Sequence, residues 1–251
     1  MNGTLAPHLA AQAGNAAWQV EPWPRERVDP ADAAASARFL EALRPDAIAH
    51  LAMGPETWAA QLAGHARMAQ IPFLFTSSAM VFDHEPDGPH RLEDPTRAQD
   101  DYGRYKIRCE AAIREAHPGA ILARIGWQID ADARGNNMLA ALDGWQASQG
   151  KVEASRLWIP ACSFMADTAS ALWRLLQQRA EGLHHLDGNA DEAWRFDQVV
   201  RALALRFGRS WQIEATDGYR HDQRLIGHPG MLPPLSARLP LGIRGEAGGS
   251  A

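Results

Sequence analysis

The chain has 251 residues, 46% hydrophobic and 22% charged, enough for a sizeable core and for one α/β domain with a small appendage. Thirty acidic against 25 basic residues give a formal charge of −5, and Lys and Arg are scattered, which argues against nucleic acid as a partner. No apolar stretch approaches the roughly 20 residues that span a bilayer, and no basic start with an apolar run marks a secretory signal.

The cytoplasm is therefore the expected address. Two cysteines, Cys109 and Cys162, stand in unrelated contexts, so neither a disulfide framework nor a zinc site is expected. No other ligand spacing suggests a metal: His84, Glu85, Asp87 and His90 share one loop without a recognisable pattern.

In chain order, the pattern predicts a helix start over 3–13, a short strand over 18–23 and a helix over 31–43. A strand over 47–52, a helix over 58–70 and a buried strand over 73–76 follow. Then come a helix over 102–116 and a strand over 120–125. Strands separated by helices of this length imply βαβ units and a parallel sheet covered on both faces. Such sheets bind ligands beyond the carboxyl ends of their strands.

After residue 130 the pattern loosens. Helices are expected over 136–150, 166–179 and 197–207, and a strand over 183–186. His184 and His185 fall in that strand and face opposite ways, which speaks against a joint metal site. Beyond Gly218 the chain is rich in Pro and Gly, and residues 245–251 read as a disordered tail. The division expected is 1–130 as nucleotide-binding core and 131–244 as mixed core and C-terminal lobe.

The start of the chain departs from this pattern. A nucleotide-binding α/β fold opens with a buried strand, a glycine turn and a helix. Here Met1-Asn2-Gly3-Thr4-Leu5-Ala6 is already at the turn, with Gly3 and Ala6 at the second and third small positions of a G-x-x-G-x-x-[GA] loop. The first strand reads as truncated, and the expectation is a start codon placed too late, with an apolar strand ending in Gly encoded upstream.

The sharpest constellation is Thr76-Ser77-Ser78-Ala79-Met80-Val81-Phe82, followed by Tyr102-Gly103-Arg104-Tyr105-Lys106. Tyr and Lys four apart share one helix face. An ammonium near a phenol favours phenolate and lowers the phenol's pKa from about 10, making it an acid/base usable near neutrality. A serine at the end of a neighbouring strand can bond the same substrate oxygen. Together these groups can protonate a carbonyl oxygen while hydride reaches its carbon.

These residues resemble the extended short-chain dehydrogenases, and among them the dTDP-4-dehydrorhamnose reductases. Arg44-Pro45-Asp46-Ala47-Ile48-Ala49-His50-Leu51-Ala52 is similar to the family's fourth strand, and Ser78-Ala79-Met80-Val81-Phe82-Asp83 to its S-T-D-Y-V-F-D segment. Ala123-Arg124-Ile125-Gly126-Trp127 resembles L-R-T-S-W, Gly135-Asn136-Asn137-Met138 resembles G-x-N-F, and Ile159-Pro160 through Ala169 a helix start after P-T.

The resemblance implies a Rossmann-type doubly wound parallel sheet with a small C-terminal substrate-binding lobe. It implies an NAD(P)H-dependent reductase of a keto-deoxysugar nucleotide, with Ser78 as catalytic hydroxyl, Tyr102 as proton donor, and Lys106 lowering the Tyr pKa and holding the nicotinamide ribose. Gly3, Thr4 and Leu5 would face the cofactor's pyrophosphate at a helix N-terminus. Asp29 would contact adenine, and Ala52 and Met53 would line the cofactor with backbone atoms. Arg25 and Arg27 after the second strand lean towards NADP over NAD. Ser78, Trp127 and Asn137 fall on the substrate side.

Arg220, Arg224 and Arg238 are further candidates for a diphosphate. A homodimer is compatible with this reading. Ala79 and Met80 replace the family's Asp-Tyr, which weakens the assignment of a particular sugar and leaves no acidic pair for a dehydratase. The alternatives are a nucleotide-sugar epimerase, or a non-catalytic regulatory or binding protein of the same fold, as in the regulatory subunit of methionine adenosyltransferase.

Overall fold

The computed structural model describes residues 3–132, 135–227 and 229–240; the expected tail from Gly245 lies outside them. Helices α1 (Leu5–Asn15) and α2 (Ala33–Leu43) precede strand β1 (Ile48–His50), α3 (Glu56–Ala69) and β2 (Phe73–Ser78). Next come α4 (Asp101–Ala116), β3 (Ile121–Ile125), β4 (Trp127–Ile129) and α5 (Met138–Gln149). Strands β5 (Val152–Ser155), β6 (Trp158–Ile159) and β7 (Cys162–Phe164) lead to α6 (Met165–Gln178) and β8 (Gly182–Leu186). Helix α7 (Phe196–Phe207), β9 (Ile213–Thr216) and β10 (His221–Asp222) complete the set.

Strands β1, β2, β3 and β8 form one parallel sheet in that order, with Leu74 opposite Ile121 and Ile125 opposite Leu186. Alternation along β2 splits its side chains between two cores. Phe73 and Phe75 pack with Trp58, Leu62, Cys109 and Ile113 of α3 and α4, whereas Leu74 packs with Leu5, Leu9, Leu172 and Leu175 of α1 and α6. Both faces are thus covered by helices, which is why every residue of β2 is buried and why its sequence reads as an apolar run. This is the expected Rossmann-like layering, and β8 and α6 from the second half of the chain belong to it.

The remaining short strands pair as β4–β7, β5–β9 and β6–β10. They enclose a separate core of Leu139, Leu142, Val152, Phe196, Val199 and Leu203. Asp187, just past β8, fastens this lobe to the sheet: it accepts backbone N–H groups from Cys162, Asn189 and Leu225 at 2.8–3.0 Å. Burial pushes its pKa up to about 7 against the pull of those donors.

One expected strand is absent. Residues 18–23 run without strand pairing, and Trp18 and Val20 are about 40% exposed. Extended apolar residues form a strand only where a neighbour pairs their backbone, and β1, the edge of the described sheet, pairs only with β2. His184 and His185 do face apart: one bonds the carbonyl of Ala180 at 2.7 Å, the other that of Ile226 at 3.0 Å. No helix among the described residues is long and apolar enough to cross a membrane.

Candidate active site

The Ser, Tyr and Lys meet at the carboxyl end of β2. Ser78 is the last residue of that strand, and its Oγ accepts the N–H of Met80 at 3.2 Å, capping the short 3₁₀ turn Ala79–Phe82. Asp100 caps α4 by accepting the N–H of Gly103, which sets Tyr102 in the first turn. Gly103 is required there, since a Cβ would lie 2.3 Å from the carbonyl oxygen of Met80. Tyr102 is 40% exposed.

Lys106 is buried one turn further on. Its Nζ donates to the carbonyl of Thr76 at 2.8 Å and lies 5.6 Å from the centre of the Tyr102 ring, 5.7 Å from Tyr105 and 4.6 Å from Phe75. Burial lowers its pKa to about 8.

The phenol behaves otherwise than the spacing suggests. Burial raises the pKa of Tyr102 above its ordinary value, with the Ser78 hydroxyl pulling it down and Asp100 adding to the rise. Lys106 spends its hydrogen bond on a backbone carbonyl, and no lowering of the phenol results. A neutral phenol is nevertheless the form that donates a proton, so the site is set for protonating an oxygen.

Beneath this group lies a polar network that sequence reasoning missed. Glu110, four residues beyond Lys106 and 2% exposed, accepts from Ser77 Oγ at 2.5 Å and from the Arg124 guanidinium at 2.8 and 2.9 Å. Although burial alone would raise it, the arginine partners hold its carboxyl below the usual range. The only signal was a helical i, i+4 offset from Lys106. Tyr105, which has no Lys four residues on, has its hydroxyl on both the carbonyl and the N–H of Gly54, at 3.0 and 3.2 Å. It clamps the loop after β1.

The residues expected around a cofactor divide. Arg25 donates to the carbonyl of Met53 and stacks 5.2 Å over Trp58, so Arg25, Met53 and the neighbouring Ala52 do converge. Asp29 accepts from Ala31 N–H in its own turn. Thr4 precedes α1 without a side-chain cap, and the first turn holds no acid. Gly3 is exposed with open space where a Cβ would be, while the Leu5 side chain turns into the core.

Of the residues expected on a substrate side, Asn137 caps α5 by accepting Ala140 N–H at 3.0 Å, and Trp127 lies 6.0–6.2 Å from Trp145, Trp158 and Phe196. Arg220, Arg224 and Arg238 are engaged by Asp87, Asp222 and Asp167. Among the described residues no group of three His, Cys, Asp or Glu could hold a metal.

Comparison with known proteins fits this geometry. A family model described as the RmlD substrate binding domain matches residues 55–206. A probable low-salt glycan biosynthesis reductase, Agl14 of Haloferax volcanii, is 35% identical over 80 residues, 32% of this chain and 26% of that protein. A dTDP-4-dehydrorhamnose reductase of Mycolicibacterium smegmatis is 28% identical over 114 residues, so the chain spans about a third or less of these two relatives. The dTDP-4-dehydrorhamnose reductase of Burkholderia thailandensis is 25% identical over 248 residues, covering 88% of this chain and 80% of that one. The dTDP-4-dehydrorhamnose reductase of Bacillus anthracis, solved in complex with NADP, superposes with a TM-score of 0.79 over 94% of this chain and 93% of its own, at 14% identity.

Proposed function

The chain belongs to the RmlD substrate-binding-domain family, and on that premise we propose that it is an NAD(P)H-dependent reductase of a keto-deoxysugar nucleotide. The observation that carries the reading is the gathering of Ser78, Tyr102 and Lys106 at the carboxyl end of β2, with Lys106 buried and its Nζ 5.6 Å from the centre of the Tyr102 ring. The uncapped start of α1, the loop of Met53 and Gly54 clamped by Tyr105, and Lys106 suit a nicotinamide dinucleotide, in agreement with the NADP bound to the Bacillus anthracis neighbour. When bound, that cofactor supplies the hydride.

The chain's own part is to hold the carbonyl oxygen between the Ser78 and Tyr102 hydroxyls and to give it the Tyr102 proton. Lys106 keeps a positive charge near the phenol, which favours phenolate once the proton has left. Ser78 orients the oxygen by donating to it. We further favour NADPH over NADH. Arg25 presents an exposed guanidinium beside Met53, and Asp29, the nearby acid, is held by Ala31 in its own turn.

The test is direct. Purified protein mixed with NADPH and a panel of 4-keto-deoxysugar nucleotides is followed by loss of absorbance at the nicotinamide band. Sugar-dependent oxidation is the expected result; none across the panel overturns the proposal.

A further inference from the structure

Three polar residues form a row across the sheet. Ser77, Arg124 and His185 pair side by side on β2, β3 and β8, and each is the penultimate residue of its strand. The row therefore lies one residue short of the edge that carries Ser78. Arg124 stands in its middle, 2% exposed, and each of its three guanidinium nitrogens has a partner. Nε donates to Glu110 Oε1 at 2.9 Å, and one terminal nitrogen donates to Oε2 at 2.8 Å. The other lies 3.3 Å from Nε2 of His185, an acceptor there, because His185 Nδ1 donates to the carbonyl of Ile226.

These partners bracket the catalytic group. Glu110 Oε1, which takes Arg124 Nε, also accepts from the hydroxyl of Ser77, the residue before Ser78. Glu110 itself stands one helical turn beyond Lys106 and two beyond Tyr102, on the same side of α4. Phe82, which ends the turn that Ser78 caps, is 1% exposed, and its ring centre lies 5.0 Å from the Arg124 guanidinium carbon. One guanidinium thus ties the strand end before Ser78, the turn after it and the helix that carries Tyr102 and Lys106.

Stability alone does not account for a charge pair at this depth. Apolar residues of similar volume in place of a buried ion pair are often as stable or more so. What a guanidinium offers over them is geometry: a rigid fork that fixes a carboxylate, and a flat face that packs on a ring.

We propose that Arg124 is the positioning residue of the catalytic group. Through Glu110 it sets the rotation of α4, and through Phe82 the seat of the turn after Ser78, so that the Ser78 and Tyr102 hydroxyls face one substrate oxygen. It touches no substrate and moves no proton. The inference rests on the reductase reading of the site and adds a residue to it.

The experiment is steady-state kinetics of the full chain with NADPH and the panel of 4-keto-deoxysugar nucleotides, well below each protein's melting temperature. Arg124→Lys keeps a charge for Glu110 and loses the fork and the flat face. Phe82→Leu removes the ring and leaves the ion pair intact, and it decides alone should Arg124→Lys not fold. Each variant should lower kcat about 10- to 100-fold, the cost of a small misplacement of reacting groups, with both KM values within about threefold of wild type. Because both changes act on one turn, the double variant should be no slower than the slower single one, whereas independent effects would multiply. Wild-type kcat in the variants, multiplied losses in the double variant, or losses confined to melting temperature overturn the positioning role and leave the reductase standing. Failure of the wild-type protein to oxidise NADPH with any sugar nucleotide removes the reductase reading and the positioning role with it.

Discussion

Lys106 donates its hydrogen bond to the carbonyl of Thr76, 2.8 Å away, on the strand that ends in Ser78. The ammonium therefore ties α4 to β2 and sets the distance between the two hydroxyl-bearing residues. Its charge acts on the phenol only through space, at 5.6 Å from the ring centre.

Because burial lowers Lys106 to about pH 8, its charge disappears above that value. NADPH oxidation should accordingly fall as pH rises through about 8. Lys106→Arg, which stays charged throughout, should lose that limb and lower the plateau about 10- to 100-fold, since a planar guanidinium cannot repeat the contact with Thr76. A pH–rate profile with the same limb in both proteins would contradict this assignment.

Glu110→Gln should be strongly destabilising. It leaves the Arg124 guanidinium, 2% exposed, without its bidentate carboxylate, and breaking one partner of a buried pair costs about 3–5 kcal/mol. For a chain of this size that is a fall of roughly 10–15 °C in melting temperature, read by calorimetry. A change under about 2 °C would mean that the network carries little.

Acid should unfold the protein through its buried imidazoles. His50, packed between Trp58 and Phe75, is lowered to about 3, and His185, beside Arg124, to about 4, each mainly by burial. Between those values and 6.5 the unfolded chain binds protons that the native state does not, so stability falls as pH drops through that window. From pH 6.5 to 5 the two groups together remove about 3 kcal/mol. His50→Leu should halve the slope in denaturant titrations; an unaltered slope would exclude His50 as a source.

The sheet was legible where both of its faces are buried. The runs over 73–76 and 120–125 are largely apolar because helices cover β2 and β3 on two sides. The short strands of the lobe were not, since pairs such as β6 with β10 span two residues and depend on contacts some 60 positions apart. The segment over 18–23 carries strand-like residues without a partner. In the site, Tyr102 and Lys106 announced themselves through one helical turn. The Ser77–Glu110–Arg124 network draws on separate elements, and no local spacing encodes it.

The most direct measurement is the rate of sugar-dependent NADPH oxidation by Tyr102→Phe, alongside its NADPH affinity and melting temperature. Removing one partly exposed hydroxyl should cut the rate at least 100-fold while cofactor binding and melting temperature stay at wild-type values. Undiminished turnover in the phenylalanine variant would show that the proton comes from elsewhere, and the role given to Tyr102 would fall.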